Sequence, residues 1–130
     1  NFPIVLRFPY AAGNISVVTI PDNMGDLYNY PIQVLDSIRE LFYQTSMVKL
    51  SAPSGVQLFL YDNDTLIVRS DLPYTEVVSL QIPDGKTKVI DLVNGVEILP
   101  TPQTKQAMEE IHNEICAELT PGINYVLKLV

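Results

Sequence analysis

Glu109, His112 and Cys116 recur at spacings of three and four residues, so on a helix they share one face. A carboxylate, an imidazole and a thiol so placed are the raw material for a transition-metal site, or for a nucleophile with its base. Neither chemistry is completed. His112 is the one histidine of the chain, and the other long helix offers only Asp36 and Glu40, whereas carboxylate-bridged sites draw ligands from several helices of a bundle. The thiol falls in mid-helix with no lysine or arginine within a turn, so nothing there lowers its pKa toward a reactive thiolate. Cys116 is therefore expected as a small, partly buried core residue beside Ile115, with His112 at the boundary of the same helix.

Phe59-Leu60-Tyr61-Asp62-Asn63-Asp64-Thr65-Leu66 resembles the first motif of the aspartate-nucleophile phosphatase superfamily, in which a strand delivers one aspartate to phosphorus and a second works as acid and base. That motif has one more residue before its threonine, and that fold needs a much longer parallel sheet. Asp62-Asn63-Asp64 is similar, too, to the metal-binding signature of nucleotide-sugar transferases, but no basic phosphate site accompanies it. A calcium loop lacks its glycine and its closing bidentate glutamate. The two aspartates lie between strand patterns and read as a solvated hairpin turn. There is no Gly-x-Ser-x-Gly elbow and no glycine-rich phosphate loop. No catalytic, cofactor or metal residues are assigned, and the chain is read as a non-enzyme.

Three surfaces remain. Glu110, Glu114 and Glu118 repeat every four residues; like charges at that spacing cost a helix a few tenths of a kcal/mol (about 0.2–0.5 per pair), so helix stability does not explain them, and a docking face for a basic partner would. Tyr28 and Tyr30, with Tyr10 and Met24 nearby, place amphipathic rings of the kind found at interface cores. The C-terminal strand, if it lies at a sheet edge, presents unpaired backbone groups with Lys128 as its one gatekeeper.

The elements that must position these residues follow from periodicity. Pro3–Pro9 and Ile15–Ile20 alternate as a hairpin around Ala11-Ala12-Gly13-Asn14. Pro31 opens a helix to about Thr45 with Ile32, Leu35, Ile38 and Phe42 on one face. Met47–Leu50, Val56–Tyr61, Thr65–Ser70, Thr75–Ile82, Thr87–Val93 and Val96–Leu99 read as strands joined by turn chemistry at Asp62-Asn63-Asp64, Pro83-Asp84-Gly85-Lys86 and Asn94-Gly95. Thr104 caps a second helix to about Leu119, its stripe formed by Met108, Ile111, Ile115 and Leu119; Ile123–Val130 is the last strand. The order ββα-βββββ-αβ predicts an α+β two-layer sandwich, a mainly antiparallel mixed sheet of about six to eight strands covered by two helices. An opening hairpin, a helix and a closing strand are similar in layout to ubiquitin-like domains, from which the hairpins between Val56 and Leu99 and the second helix depart.

The chain has 130 residues, which fits a single α+β domain over 1–130, and its start at Asn1 is compatible with excision from a longer chain. With 47% hydrophobic and 18% charged residues and a mean hydropathy of +0.17 it can build a core without disulfides. Fifteen acidic against eight basic residues give a charge of -7, the wrong sign for nucleic acid or an anionic membrane. One cysteine favours a cytoplasmic setting. The expected role is a protein-interaction or assembly module docking through the acidic helix face or a sheet edge, to a protein partner or to itself. The alternatives are a small-molecule or metal-binding domain, and a structural subunit of a symmetric assembly or virion.

Overall fold

Thr65–Ser70 alternates small polar or half-exposed positions with Leu66, Val68 and Ser70, and the computed structural model buries those three on one side of a strand. The structure describes residues 3–43, 47–99, 101–102 and 113–130. Its strands are β1 (Val5–Tyr10), β2 (Gly13–Val18), β3 (Lys49–Ser51), β4 (Val56–Leu60), β5 (Thr65–Ser70), β6 (Glu76–Ile82), β7 (Val89–Asp91), β8 (Glu97–Ile98), β9 (Thr101–Pro102), β10 (Asn113–Leu119) and β11 (Asn124–Leu129). A 3-10 helix at Met24–Asn29 and α1 (Ile32–Arg39) lie between β2 and β3.

The α+β class and the antiparallel pairing hold, but the strands form three sheets in place of one: β1-β2, β3-β6-β10-β9 and β4-β5-β11-β7-β8, every pair antiparallel. Between β3 and β11 the chain repeatedly crosses between the four- and five-stranded sheets. Gly55 (φ +86°) sits at the crossing from β3 to β4, and Gly122 (φ +77°) at the crossing from β10 to β11, where its N–H donates to Ser70 O at 2.8 Å. Both need the left-handed region that glycine enters without a Cβ penalty. Leu50, Val78, Leu80, Ile82, Ile115, Ala117 and Leu119 of one sheet and Val56, Leu66, Val68, Val89, Leu127 and Leu129 of the other form one buried cluster, so sheet covers sheet.

Within the described residues the second helix is overturned. Residues 113–119 are β10, paired over its whole length with β6: Ile115 faces Leu80 and Ala117 faces Val78. The reason is arithmetic. Ile115 and Leu119 are four apart, a spacing that satisfies a helical stripe and an even strand face alike, and β6 offers a complementary inward row of Val78, Leu80 and Ile82. Residues 103–112, with Thr104, Met108 and Ile111 of the expected helix, lie outside the described residues.

The first helix is shorter than expected. Beyond Arg39, Leu41 and Phe42 donate to carbonyls three residues back, the tighter bonding with which helices end. Among the described residues no helix is long and apolar enough to cross a membrane.

Candidate functional site

β10 alternates, so its outward row is Glu114, Cys116 and Glu118, while Ile115, Ala117 and Leu119 point into the core. Glu114 and Glu118 therefore still share a face, but of a sheet, and the acidic helix face is corrected to a strand face because the backbone pairs with β6. Ser79 Oγ donates a short hydrogen bond to Glu114 Oε1, and Glu118 stands opposite the exposed Val77. Cys116 is exposed, against the expectation of a partly buried core residue, because its position in a strand of period two is odd with respect to Ile115. Glu109, Glu110 and His112 lie outside the described residues.

The C-terminal strand is an interior strand of its sheet, bonded to β5 on one side and β7 on the other, so it offers no edge to a partner. Lys128 Nζ, in place of guarding an edge, donates to Asn63 O and pins the β4–β5 turn.

Residues 3–43, here called the arm, behave differently from everything that follows. Leu6, Phe8 and Tyr10 of β1 lie on one face with Ile15 and Val17 of β2, as the register Leu6↔Val17 and Phe8↔Ile15 requires. That face is uncharged and open: Phe8 is 50%, Tyr10 68% and Val17 44% exposed. Tyr28 is 71% exposed and Met24 62%, whereas Tyr30 is half-buried. Among the described residues, the hydrogen bonds of the hairpin stay within residues 3–19.

Polar struts tie the rest of the arm to the sandwich. Arg39 Nη1 donates to Asp36 Oδ1 (2.9 Å) and Ala52 O (2.5 Å), and its Nη2 donates to Pro53 O (3.1 Å). Ser51 Oγ donates to Asp36 Oδ2, Lys49 pairs with Glu40 at 2.6 Å, and Ser54 Oγ donates to Tyr28 O at 2.6 Å. α1 thus lies over the outward residues Lys49 and Ser51 of β3.

Residues 47–122 match the protein family described as "Probable glycosyl hydrolase, C-terminal domain". The match covers more than half of the chain. The chain belongs to this family. Comparison with curated proteins and with solved structures gave no significant match. The matched span of this glycosyl hydrolase C-terminal domain runs from the approach to β3 to the Gly122 crossing, and the arm precedes it.

Sequence reasoning missed one other feature of the domain. The Asp62–Asp64 turn after β4 and the Pro83–Lys86 turn after β6 flank a cavity of about 490 Å³. The hairpin-turn reading of Asp62-Asn63-Asp64 agrees with the structure, Asp64 taking φ +60°, a conformation aspartate tolerates. Lys86 Nζ lies 2.8 Å from Asp64 Oδ2, and that hydrogen bond is the main cause holding the Asp64 carboxyl below its usual pKa. The signal available in the sequence was that both turns carry aspartates next to strand ends, but the approach of one turn to the other is a tertiary fact. Among the described residues no group of three or more His, Cys, Asp or Glu side chains is arranged to hold a metal ion.

Proposed function

We propose that the chain is a non-catalytic, protein-docking domain of a glycosyl hydrolase, and that its arm packs against the domain that precedes it in the parent enzyme. The observation that carries this reading is the contrast between a sandwich with a closed core and an arm whose apolar face leaves Phe8, Tyr10, Ile15 and Val17 exposed, with Leu6 half-buried. A two-stranded hairpin is marginal in water unless a third strand or another surface packs on it. An uncharged apolar face of this kind marks an interaction surface. The family description supports this choice of partner, since a C-terminal domain follows another and the arm precedes the matched span in sequence.

The carboxylates support a non-catalytic role. Glycoside hydrolysis needs two carboxyl groups flanking the scissile bond, one of them enclosed so that it stays protonated. Asp36, Glu40, Asp64, Asp71 and Glu97 are committed to ion pairs with Arg39, Lys49, Lys86, Arg69 and Lys88. Asp91 is bound into its own turn. Tyr28 and Tyr10 belong to the same proposed interface, with Tyr30 at its margin. Glu114 and Glu118 mark a second, polar face that carries no partner assignment. A cytoplasmic setting is supported by the exposed Cys116, since a reducing compartment keeps it a thiol.

Hydrogen exchange tests the proposal. Amides of residues 4–18 should exchange quickly in the isolated chain and be protected in the parent enzyme. Equal exchange in both would refute docking of the arm. Light scattering that shows a dimer of the isolated chain, with the same amides protected, would replace the neighbouring domain by a second copy. Glycoside hydrolysis by the isolated chain would refute the non-catalytic role.

A further inference from the structure

The cavity between the β4–β5 and β6–β7 turns has two unlike parts. Its floor is apolar, made by Val48, Leu66 and Leu129, all buried members of the core. Its rim is Tyr61, 53% exposed, with Asp62, Asp84 and the Asp64–Lys86 ion pair. The rim is held in place by backbone. Tyr61 N donates to Thr65 O at 2.9 Å and Leu129 N to Asp64 O at 2.8 Å, and Lys128 grips Asn63 O. A site held this way spends little ordering entropy on binding. At about 490 Å³ it falls within the roughly 300–1,000 Å³ of small-molecule sites.

We infer that this cavity is a binding site for a neutral saccharide. The choice of ligand class rests on the reading of the chain as part of a glycosyl hydrolase; the cavity and its chemistry do not. A sugar ring has an apolar C–H face and a periphery of hydroxyl donors. The exposed ring of Tyr61 suits the first, since the negative face of an aromatic attracts C–H groups. Asp62 and Asp84 suit the second, because neither carboxylate has a hydrogen bond or ion pair within the described residues, and an ionised carboxylate accepts from two hydroxyls at once. Asp62, Asp64 and Asp84 stand against Lys86 and Lys128, whose ammonium lies at Asn63 of the same turn, which leaves the rim one charge negative and disfavours phosphorylated sugars and uronic acids. Lys86 has N–H groups beyond the one bonded to Asp64 and can donate to a sugar oxygen. Both free carboxylates are exposed, without the enclosure in which a glycosidase acid is built, so the site binds and does not cleave.

Calorimetric titration of the isolated chain tests this with neutral gluco-, galacto-, manno- and xylo-oligosaccharides, an oligogalacturonate and choline as probes. At least one neutral oligosaccharide should bind. Tyr61→Ala should weaken it about tenfold and Asp84→Asn severalfold, with the melting temperature unchanged because both side chains are exposed. Tyr28→Ala, on the arm, should leave binding unaltered. No heat with any neutral saccharide, a preference for the uronate or for choline, or unchanged affinity in Tyr61→Ala would each overturn the assignment. None of these results bears on arm docking, which the exchange experiment reads separately.

Discussion

The arm and the sandwich are built from similar side chains and spend them differently. Every buried apolar residue among those described lies between Val48 and Leu129, while the arm carries Phe8, Tyr10, Ile15, Val17, Met24, Tyr28 and Phe42 exposed. The arm's hairpin pairs residues at most a few positions from a turn, which satisfies backbone hydrogen bonds but encloses nothing. The sandwich pairs Leu66 with Leu127 and Leu80 with Ile115, far apart in the chain, and encloses a core. Local pairing shapes a strand; only non-local pairing removes it from water. A region that has the first without the second is stable only where something else covers it.

The largest effect that separates the two regions is a paired truncation. Leu80 is 1% exposed and faces Leu50 on one side and Ile115 on the other, so Leu80→Ala should cost about 2–5 kcal/mol in denaturant unfolding of the isolated chain. Phe8→Ala, the larger deletion, should change stability by no more than about 0.5 kcal/mol, because Phe8 is half exposed already. Comparable losses would break the contrast and show that the arm's face is covered within the chain itself.

Next in size is a buried polar anchor, where the arm's own strut, Asp36, is half-exposed. Asp91 is 7% exposed; its Oδ1 accepts from the N–H groups of Val93 (2.9 Å) and Asn94 (3.2 Å) and its Oδ2 from Asn94 Nδ2 (2.7 Å). The Asn94 side-chain hydrogen bond leads in lowering its pKa, with the two backbone N–H groups adding to it and burial opposing. Asp91→Ala strands those donors and should cost about 1–3 kcal/mol. A depressed folded-state pKa means that the anchor's contribution is complete above the unfolded value of about 3.9 and fades as pH falls through the folded value. The wild-type protein should therefore lose stability below about pH 4 by more than Asp91→Ala does, read as midpoints of urea unfolding across that range. Parallel midpoints in the two proteins would remove Asp91 from the account.

These residues also show what was legible in the sequence. β5 has the bounds its alternation predicts, and β4, β6 and β11 depart by one or two residues, because half-buried strands advertise period two and their turns carry aspartate, proline and glycine. The division into sheets was not legible, since β11 between β5 and β7 is a choice among distant partners. The interior place of β11 removed the edge expected of it. Tyr28 is an exposed ring, as its reading as an interface residue requires, though on the 3-10 helix Met24–Asn29, whereas Tyr61 reads in the sequence as the last residue of a strand. What makes it a rim residue is the approach of the Pro83–Lys86 turn, which no local pattern records.

The smallest effect discriminates most finely, because it tests the segment on which sequence and structure disagree. In β10 Cys116 points outward and Ala117 inward, whereas on the expected helix Cys116 would sit beside Ile115 at the core. A thiol reagent should therefore label native Cys116 at close to the rate of the urea-unfolded chain. Cys116→Ser should shift stability by no more than about 0.5 kcal/mol, as at other exposed positions. Ala117→Asp supplies the opposing arm, since it buries a charge with no partner against Val78 and should prevent or cripple folding. Slow labelling of Cys116 together with a tolerated Ala117→Asp would invert the strand face. Glu114 and Glu118 would then turn inward with Cys116, and the sandwich side of the comparison would lose the closed core on which it depends.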